Sequence, residues 1–171
     1  GNGGGINPVT GKPYDDSEFN FPTGQSDKFV SNFQPDYTLD GAMNGAVNNT
    51  AVGHGALSAI TTGDSNATLG YHAGYALTTG HSNVIIGENA GSTATTQLTN
   101  SVMVGNDAGQ TAISANHVFI GDHAGYSAVA SDGQVFIGFY AGGQVTSGER
   151  NLAIGYQALD NTTGGSNTAV G

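Results

Sequence analysis

Hydrophobic and polar residues alternate in a pattern that recurs from about residue 49 to residue 171. A short segment with a polar residue, three mostly apolar residues and a glycine, such as Asn83–Gly87, returns every 16–18 residues. A period of this size is typical of architectures in which similar coils stack on one another. The residue before the glycine is aliphatic in every copy. The anchor glycines are Gly53, Gly70, Gly87, Gly105, Gly121, Gly138, Gly155 and Gly171.

Each repeat predicts a short strand followed by a sharp turn. In Asn83–Gly87 the β-branched run favours a strand, and Gly87–Asn89 favours a turn because Gly and Asn accept left-handed backbone. A second, weaker strand is predicted from Ala90 to about Thr96. Two strands and two turns make one coil of an all-β parallel β-solenoid, a two-layered β-roll. About eight coils stacked at ~4.8 Å give a rod of roughly 35–40 Å.

Two further columns of similar residues support this architecture. The position four residues before each anchor usually holds an amide, and stacked amides predict a hydrogen-bonded ladder. The position three residues after each anchor is alanine, which lets two layers approach closely. A triangular helix with a hexapeptide period is disfavoured, because Ser, Tyr, Gln, Gly or Asp stands where it needs small aliphatic residues. The amide column is Asn49, Asn66, Asn83, Ser101, His117, Gln134, Asn151 and Asn167.

The strands are apolar on both faces. The first and third residues of each strand share one face and are predicted to fill the coil. The middle residue is then expected to point outward. Because strands that are apolar on both faces are normally covered on both, the pattern predicts self-association, with three chains around a central axis. The predicted oligomer interface consists of Ile85, Met103, Phe119 and Phe136.

Residues 1–45 differ from the repeats and predict a separate arm. They contain all four prolines and six aromatic residues, without a visible period. Dense prolines favour extended backbone over a packed sheet. We expect an arm that docks on the first coils, on a neighbouring chain or on a larger assembly; a flexible leader is the alternative. The repeat domain then covers residues 46–171.

Composition excludes several classes of function. Only 9% of residues are charged, and 3 cations against 13 carboxylates give a net charge of −10. This balance disfavours binding to nucleic acid, which relies on cations that neutralise phosphates. The absence of cysteine excludes disulfides and thiolate metal sites. No run of 18 apolar residues is present, so no membrane span is predicted.

Titratable residues give no pattern of an active site or metal site. His54, His72 and His123 follow anchor glycines at one exposed corner, without the helical spacing of zinc ligands. The carboxylates near that corner lack the glycine-rich nonapeptide of calcium β-rolls. No pair of carboxylates is placed for general acid and base catalysis. The sequence therefore predicts a protein without enzymatic activity, cofactor or metal.

Aromatic residues lie in or just after the turns, where the strand period does not require them. Rings with a polar edge suit the recognition of sugars or protein surfaces. Alternatively, they cover the edges of the coils or pack against a neighbouring chain. The candidates for ligand contact are Tyr71, Tyr75, Tyr126, Phe139, Tyr140 and Tyr156.

Two copies carry a more specific motif, Asn-x-Ala-aliphatic-Gly-x-x-Ala-Leu, in which x is variable. A Thr-Thr-Gly turn follows each copy a few residues later. The copies are Asn49–Leu57 with Thr61–Gly63, and Asn151–Leu159 with Thr162–Gly164. The motif resembles repeats of phage tail-fibre proteins and head repeats of trimeric autotransporter adhesins. The resemblance covers about residues 45–171 and implies a parallel β-roll, a homotrimer and an extracellular or virion location. The repeats here are longer than the typical adhesin repeat, and no neck or stalk is recognisable.

The sequence therefore predicts a structural or adhesive fibre segment, acting as a rigid spacer or receptor-contacting rod. Its expected partners are further copies of itself and a cell-surface glycan or protein receptor. The alternative is a self-assembling filament, since the repeat reaches residue 171 without a polar cap and the arm could link subunits. Ice binding through threonine columns is disfavoured, because the Thr-Thr pairs are interrupted at Ile113-Ser114 and Val129-Ala130.

Overall fold

A parallel sheet dominates the computed structural model, which describes residues 29–30, 45–94, 98–128 and 132–171. Its strands follow one another in chain order, so each coil hydrogen-bonds to the next. The predicted all-β parallel β-solenoid is confirmed. The strands are β1 (Phe29–Val30), β2 (Thr50–Val52), β3 (Ala67–Leu69), β4 (Val84–Ile86), β5 (Val102–Val104), β6 (Val118–Ile120), β7 (Val135–Ile137), β8 (Leu152–Ile154) and β9 (Thr168–Val170).

Equivalent residues of neighbouring repeats pair in register. Ile85 lies opposite Met103, and Phe119 lies opposite Phe136. Of the predicted arm, Phe29–Val30 pairs with Thr50 and Ala51 at the edge of β2. The remainder of that arm, 1–28 and 31–44, lies outside the described residues.

The side of the coil opposite the sheet is built from turns, so the second strand predicted from Ala90 is wrong. Asn89 and Gly91 both have a φ of 54°, and left-handed residues that alternate in this way prevent an extended strand. The amides also alternate. Ala90 donates to Gly87 O within its own coil, and Gly91 donates to Ala108 O of the next coil at 3.0 Å. Thr95 and Thr96 lie outside the described residues.

The strand faces are the reverse of those predicted. Ile85, Met103, Phe119 and Phe136 are 0% exposed and form the core of the coil. Their assignment to an outward oligomer interface is therefore wrong. The first and third residues face solvent instead, as on Val84–Ile86, where both are more than a third exposed. Alternation along three residues is compatible with either orientation, and the space opposite the sheet decides between them.

That space is matched to the middle residue of each strand. Where the middle residue is large, the turn residue six positions later is glycine, as in Phe136 with Gly142. A Cβ atom on Gly142 would lie 2.4 Å from the Phe136 ring. Where the middle residue is alanine, the turn residue is leucine, and the buried Ala51 and Leu57 form such a pair. These pairs keep a nearly constant core volume, as close packing requires. Thr68 and Gly74 are the exception, and the side chain of Leu57 reaches the space beside Gly74 from the preceding coil.

The anchor glycines form one corner of the rod, where backbones of successive coils touch. Gly121 has a φ of 132°, and a Cβ atom there would lie 2.5 Å from Gly138 O. Both the dihedral and the contact exclude any residue with a side chain. Their predicted place at one corner is confirmed.

The buried amide column forms the predicted hydrogen-bonded ladder. Asn66 Nδ2 donates to Asn49 Oδ1 at 3.0 Å and to Gly80 O at 2.9 Å. Asn83 repeats both bonds with Asn66 and Leu98. Each amide therefore joins two coils and satisfies a turn carbonyl that would otherwise be buried without a donor.

Candidate functional surfaces

The outward side of β2–β9 is an uncharged apolar surface, which we call the aliphatic face. It consists of the first and third residues of these eight strands, and none of them is fully buried. All third residues are Val, Leu or Ile, whereas the first residues also include Thr50, Ala67 and Thr168. The face runs the length of the sheet because the register aligns equivalent residues. A contiguous apolar surface of this extent is unusual on a monomeric protein and typical of an interaction site.

Small side chains leave a shallow depression near one end of the aliphatic face. Its volume is about 220 Å³. Ala67 is the smallest first residue of the eight strands, so the surface is lower there than at the valines of β4–β7. The lining residues are Thr50, Val52, Ala67, Thr68, Leu69 and Ile86.

The turns after the anchor glycines bring the predicted aromatic residues together as two groups, the aromatic corner. In the first group, Tyr71 stacks on His54 of the preceding coil at 5.5 Å between ring centroids, and His72 lies between Tyr71 and Tyr75. Neighbouring rings cover parts of each other's faces, while Tyr71 and Tyr75 remain nearly half exposed. This geometry supports the interpretation that the rings cover coil edges, and ligand contact stays a prediction.

The second group lies four coils further along the rod. Phe139 stacks on Tyr156 at 5.2 Å, and His123 stacks on Tyr140 at 4.7 Å and approaches Tyr126 at 5.0 Å. Tyr156 has the most exposed ring, at 68%. Both groups therefore present exposed aromatic residues on the same corner.

Polar residues lie between the two groups on the coil of Asp107 and Gln110, and they contact the second group at His123. His123 hydrogen-bonds Asp122 through Nδ1 and lies 3.7 Å from Asp107 Oδ2 through Nε2. Gln110 donates to Asp107 Oδ1 at 2.5 Å. In the first group, burial lowers the pKa of His72, the nearby His54 lowers it further, and Glu88 opposes both effects.

His117 is the titratable residue with the most unusual surroundings. It occupies the amide column, is fully buried and stacks on Phe119 at 4.8 Å. Its Nε2 lies 2.9 Å from Ser114 Oγ, and its Nδ1 accepts a hydrogen bond from the backbone N–H of Gln134 at 3.4 Å. Burial lowers the pKa of His117 to about 4, although Asp132 partly opposes this effect. If Nδ1 were protonated, its N–H would face the backbone N–H of Gln134, and two donors would oppose each other. The residue therefore acts as a neutral rung of the ladder.

Neither a cluster of metal ligands nor a membrane-spanning helix is found among the described residues. Within residues 45–94, 98–128 and 132–171, no group of three His, Cys, Asp or Glu side chains is arranged to hold a metal ion. The same part of the chain contains no helix with the length and apolarity needed to cross a bilayer.

Comparison with known proteins does not assign this chain to a family. No family model, curated protein or solved structure matches this chain. The resemblance to tail-fibre and adhesin repeats consequently rests on the sequence motif alone.

The aliphatic face is the feature that sequence reasoning placed on the wrong side of the strand. A signal for the correct orientation was present in the pairing of large middle residues with glycine six positions later. The large Phe119 is followed six residues later by Gly125, whereas the small Ala153 is followed six residues later by Leu159. Such compensation is expected only between residues that share a core.

Proposed function

We propose that this chain is a non-enzymatic segment of an extracellular or virion fibre, in which the stacked coils act as a rigid rod. The observation that supports this most is hydrogen bonding between coils on both sides of the solenoid. The sheet supplies one set of bonds. The turn layer supplies another, including His72 N–H to His54 O at 2.9 Å and Gly91 N–H to Ala108 O at 3.0 Å. Bending the rod in any direction would strain one of these sets.

The aromatic corner is the surface through which such a rod would contact a receptor. Its exposed tyrosines combine an apolar ring with a hydroxyl group, a combination suited to sugars and to wet protein surfaces. The acidic and amide side chains between the two groups supply acceptors and donors for hydroxyl groups. A cell-surface glycan is therefore the receptor class that we would test first.

An end-to-end filament is less well supported. Phe29–Val30 already pairs with the edge of β2, which is an edge that a stacked subunit would need. Lateral contacts through the aliphatic face do not have this conflict.

The rod is tested by small-angle scattering of the full chain. Residues 45–171 should contribute an elongated scattering component, with a length near the roughly 35–40 Å expected for eight coils spaced ~4.8 Å apart. A flexible-chain profile for the whole molecule would contradict the rod.

Adhesion is tested by a glycan array and by binding of labelled chain to cells. Tyr71→Ala and Tyr156→Ala should each weaken binding at least tenfold, whereas Ile113→Ala, another exposed residue, should not. If the unmodified chain binds no surface, the adhesive role is wrong and the spacer role remains. Release of reducing ends from a bound polysaccharide would overturn the non-enzymatic assignment.

A further inference from the structure

Among residues 45–94, 98–128 and 132–171, none covers the aliphatic face, whose first and third strand residues all keep exposed surface. We propose that the face is covered by the same face of a second copy, with the two rods antiparallel. This pairing applies equally to a spacer and to an adhesin, so it does not depend on the proposed function.

The first argument is the size and charge of the surface. Two outward side chains on each of eight strands, at roughly 50 Å² each, amount to about 800 Å² per chain, which is what a standard protein interface buries on each partner. None of these side chains is charged, although the chain carries a net charge of −10. Two such rods can therefore approach along this face without placing like charges in direct contact.

The second argument is the spacing of the side chains. Neighbouring rows on the face are separated by the distance between hydrogen-bonded strands, about 4.8 Å. A second copy repeats at the same spacing, so its rows can lie opposite these along the whole rod. A globular partner without that repeat would match only a few rows.

The third argument fixes the relative direction of the two rods. Among the first residues of the strands, Ala67 on β3 is the smallest and Leu152 on β8 is the largest. If the rods are antiparallel with the two-fold axis between β5 and β6, β3 faces β8 of the other copy. Each Leu152 then lies over the depression at Ala67. The symmetry makes this contact twice.

The remaining rows also agree with this register. It sets β4 against β7 and β5 against β6, whose outward residues are all Val or Ile. Parallel rods would instead place β3 against β3 and β8 against β8. The two β3 strands, each with Ala67, would then leave a gap between the rods, and the two β8 strands, each with Leu152, would be crowded. Cavities and overpacking both lower stability.

The first test is the mass of the full chain by light scattering over a concentration series. The expected mass is that of two chains. Ile120→Asn, in the middle of the face, should shift the dissociation constant at least a hundredfold towards monomer. Ile113→Asn is the matched control, because Ile113 and Ile120 are exposed to 39% and 38% and only Ile120 is on the face. Circular dichroism checks that both variants fold.

The second test is crosslinking, for which the cysteine-free chain is well suited. Leu69 and Ile154 are third residues of β3 and β8, so they meet across the antiparallel pair but lie five coils apart within one chain. When Leu69→Cys chains and Ile154→Cys chains are mixed under oxidising conditions, the main product should be a disulfide that joins one chain of each variant. Parallel rods would instead crosslink a mixture of Leu69→Cys and Ala67→Cys chains.

Each other outcome would overturn the antiparallel pair. A concentration-independent mass of three chains would favour the trimer implied by the resemblance to adhesins. A monomer would leave the face to another part of the same chain or to an unrelated partner. A dimer that gives only the parallel crosslink, or that survives Ile120→Asn unchanged, would place the interface elsewhere.

Discussion

The two sides of the same strands follow different rules. On the inward side, the middle residues range from Ala51 to Phe136, and the turn layer has leucine opposite alanine and glycine opposite the large residues. On the outward side, the third residue is always Val, Leu or Ile, although nothing described in the chain packs against it. Compensated variation marks a core that is complete within one coil. Uniform apolarity without compensation marks a surface whose constraint comes from outside the coil.

The two sides of β6 differ most in how much stability is lost when neighbouring residues on opposite faces are truncated. Phe119→Ala should lower the free energy of unfolding by about 4 kcal/mol, because it leaves a cavity beside Phe136. Ile120→Ala should lower it by less than about 1 kcal/mol when the chain is dilute enough to be dissociated. Denaturant unfolding followed by circular dichroism measures both. Equal losses would mean that the two sides are not distinct.

The inward amide column should make stability depend on pH. The pKa of His117 is about 4 in the folded chain and near 6.5 in the unfolded chain. The unfolded chain therefore binds the proton first, and stability falls as the pH drops from about 6.5 to about 4. The loss amounts to about 3 kcal/mol, since each pH unit between the two pKa values corresponds to about 1.4 kcal/mol.

The carboxylates titrate in the same range, so the contribution of His117 is taken as a difference. His117→Asn, which restores the residue most common in the column, should remove about 3 kcal/mol of pH dependence. His81→Asn is the control, because His81 is exposed. Identical pH profiles for the unmodified chain and His117→Asn would show that the buried imidazole is not the sensitive group.

The compensation rule can be sharpened by transplanting it from one coil to another. Phe136→Ala should be destabilising, and adding Gly142→Leu should recover about 2 kcal/mol by refilling the core. The double variant reproduces the Ala153 and Leu159 pair of the next coil, where leucine already adopts a φ of 52°. Gly142→Leu alone should be destabilising, because the Phe136 ring occupies that space. Additive effects in this double-mutant cycle would contradict a shared core.

The smallest effect is expected at the aromatic corner. Tyr156→Ala should lower the free energy of unfolding by no more than about 1 kcal/mol, since the ring is mostly exposed and its main ring contact is Phe139. Thermal unfolding measures this, with Tyr156→Phe as the control that keeps the stacked ring. A larger loss would make the corner part of the folding core and would weaken the case for a contact surface.

Much of the fold could be predicted from particular residues. The spacing of Gly53, Gly70 and their equivalents predicts coils, and the amide column predicts the ladder that joins Asn49 to Asn66. The predicted second strand is wrong because the turn does not end at Asn89: Gly91 is also left-handed and continues it. The aromatic residues were placed correctly at the turns, but their stacking depends on the register between coils.

The sequence alone specified the period, the parallel stacking of the coils and the positions of the anchor glycines. These follow from local backbone requirements that every repeat must satisfy. Only the tertiary structure decided which side of each strand is the inside. Three alternating residues do not distinguish the two sides, whereas the turn layer of the same coil has room for one large side chain and closes over it. Ile85, Met103, Phe119 and Phe136 are therefore core residues, and the aliphatic face is on the outside of the coil.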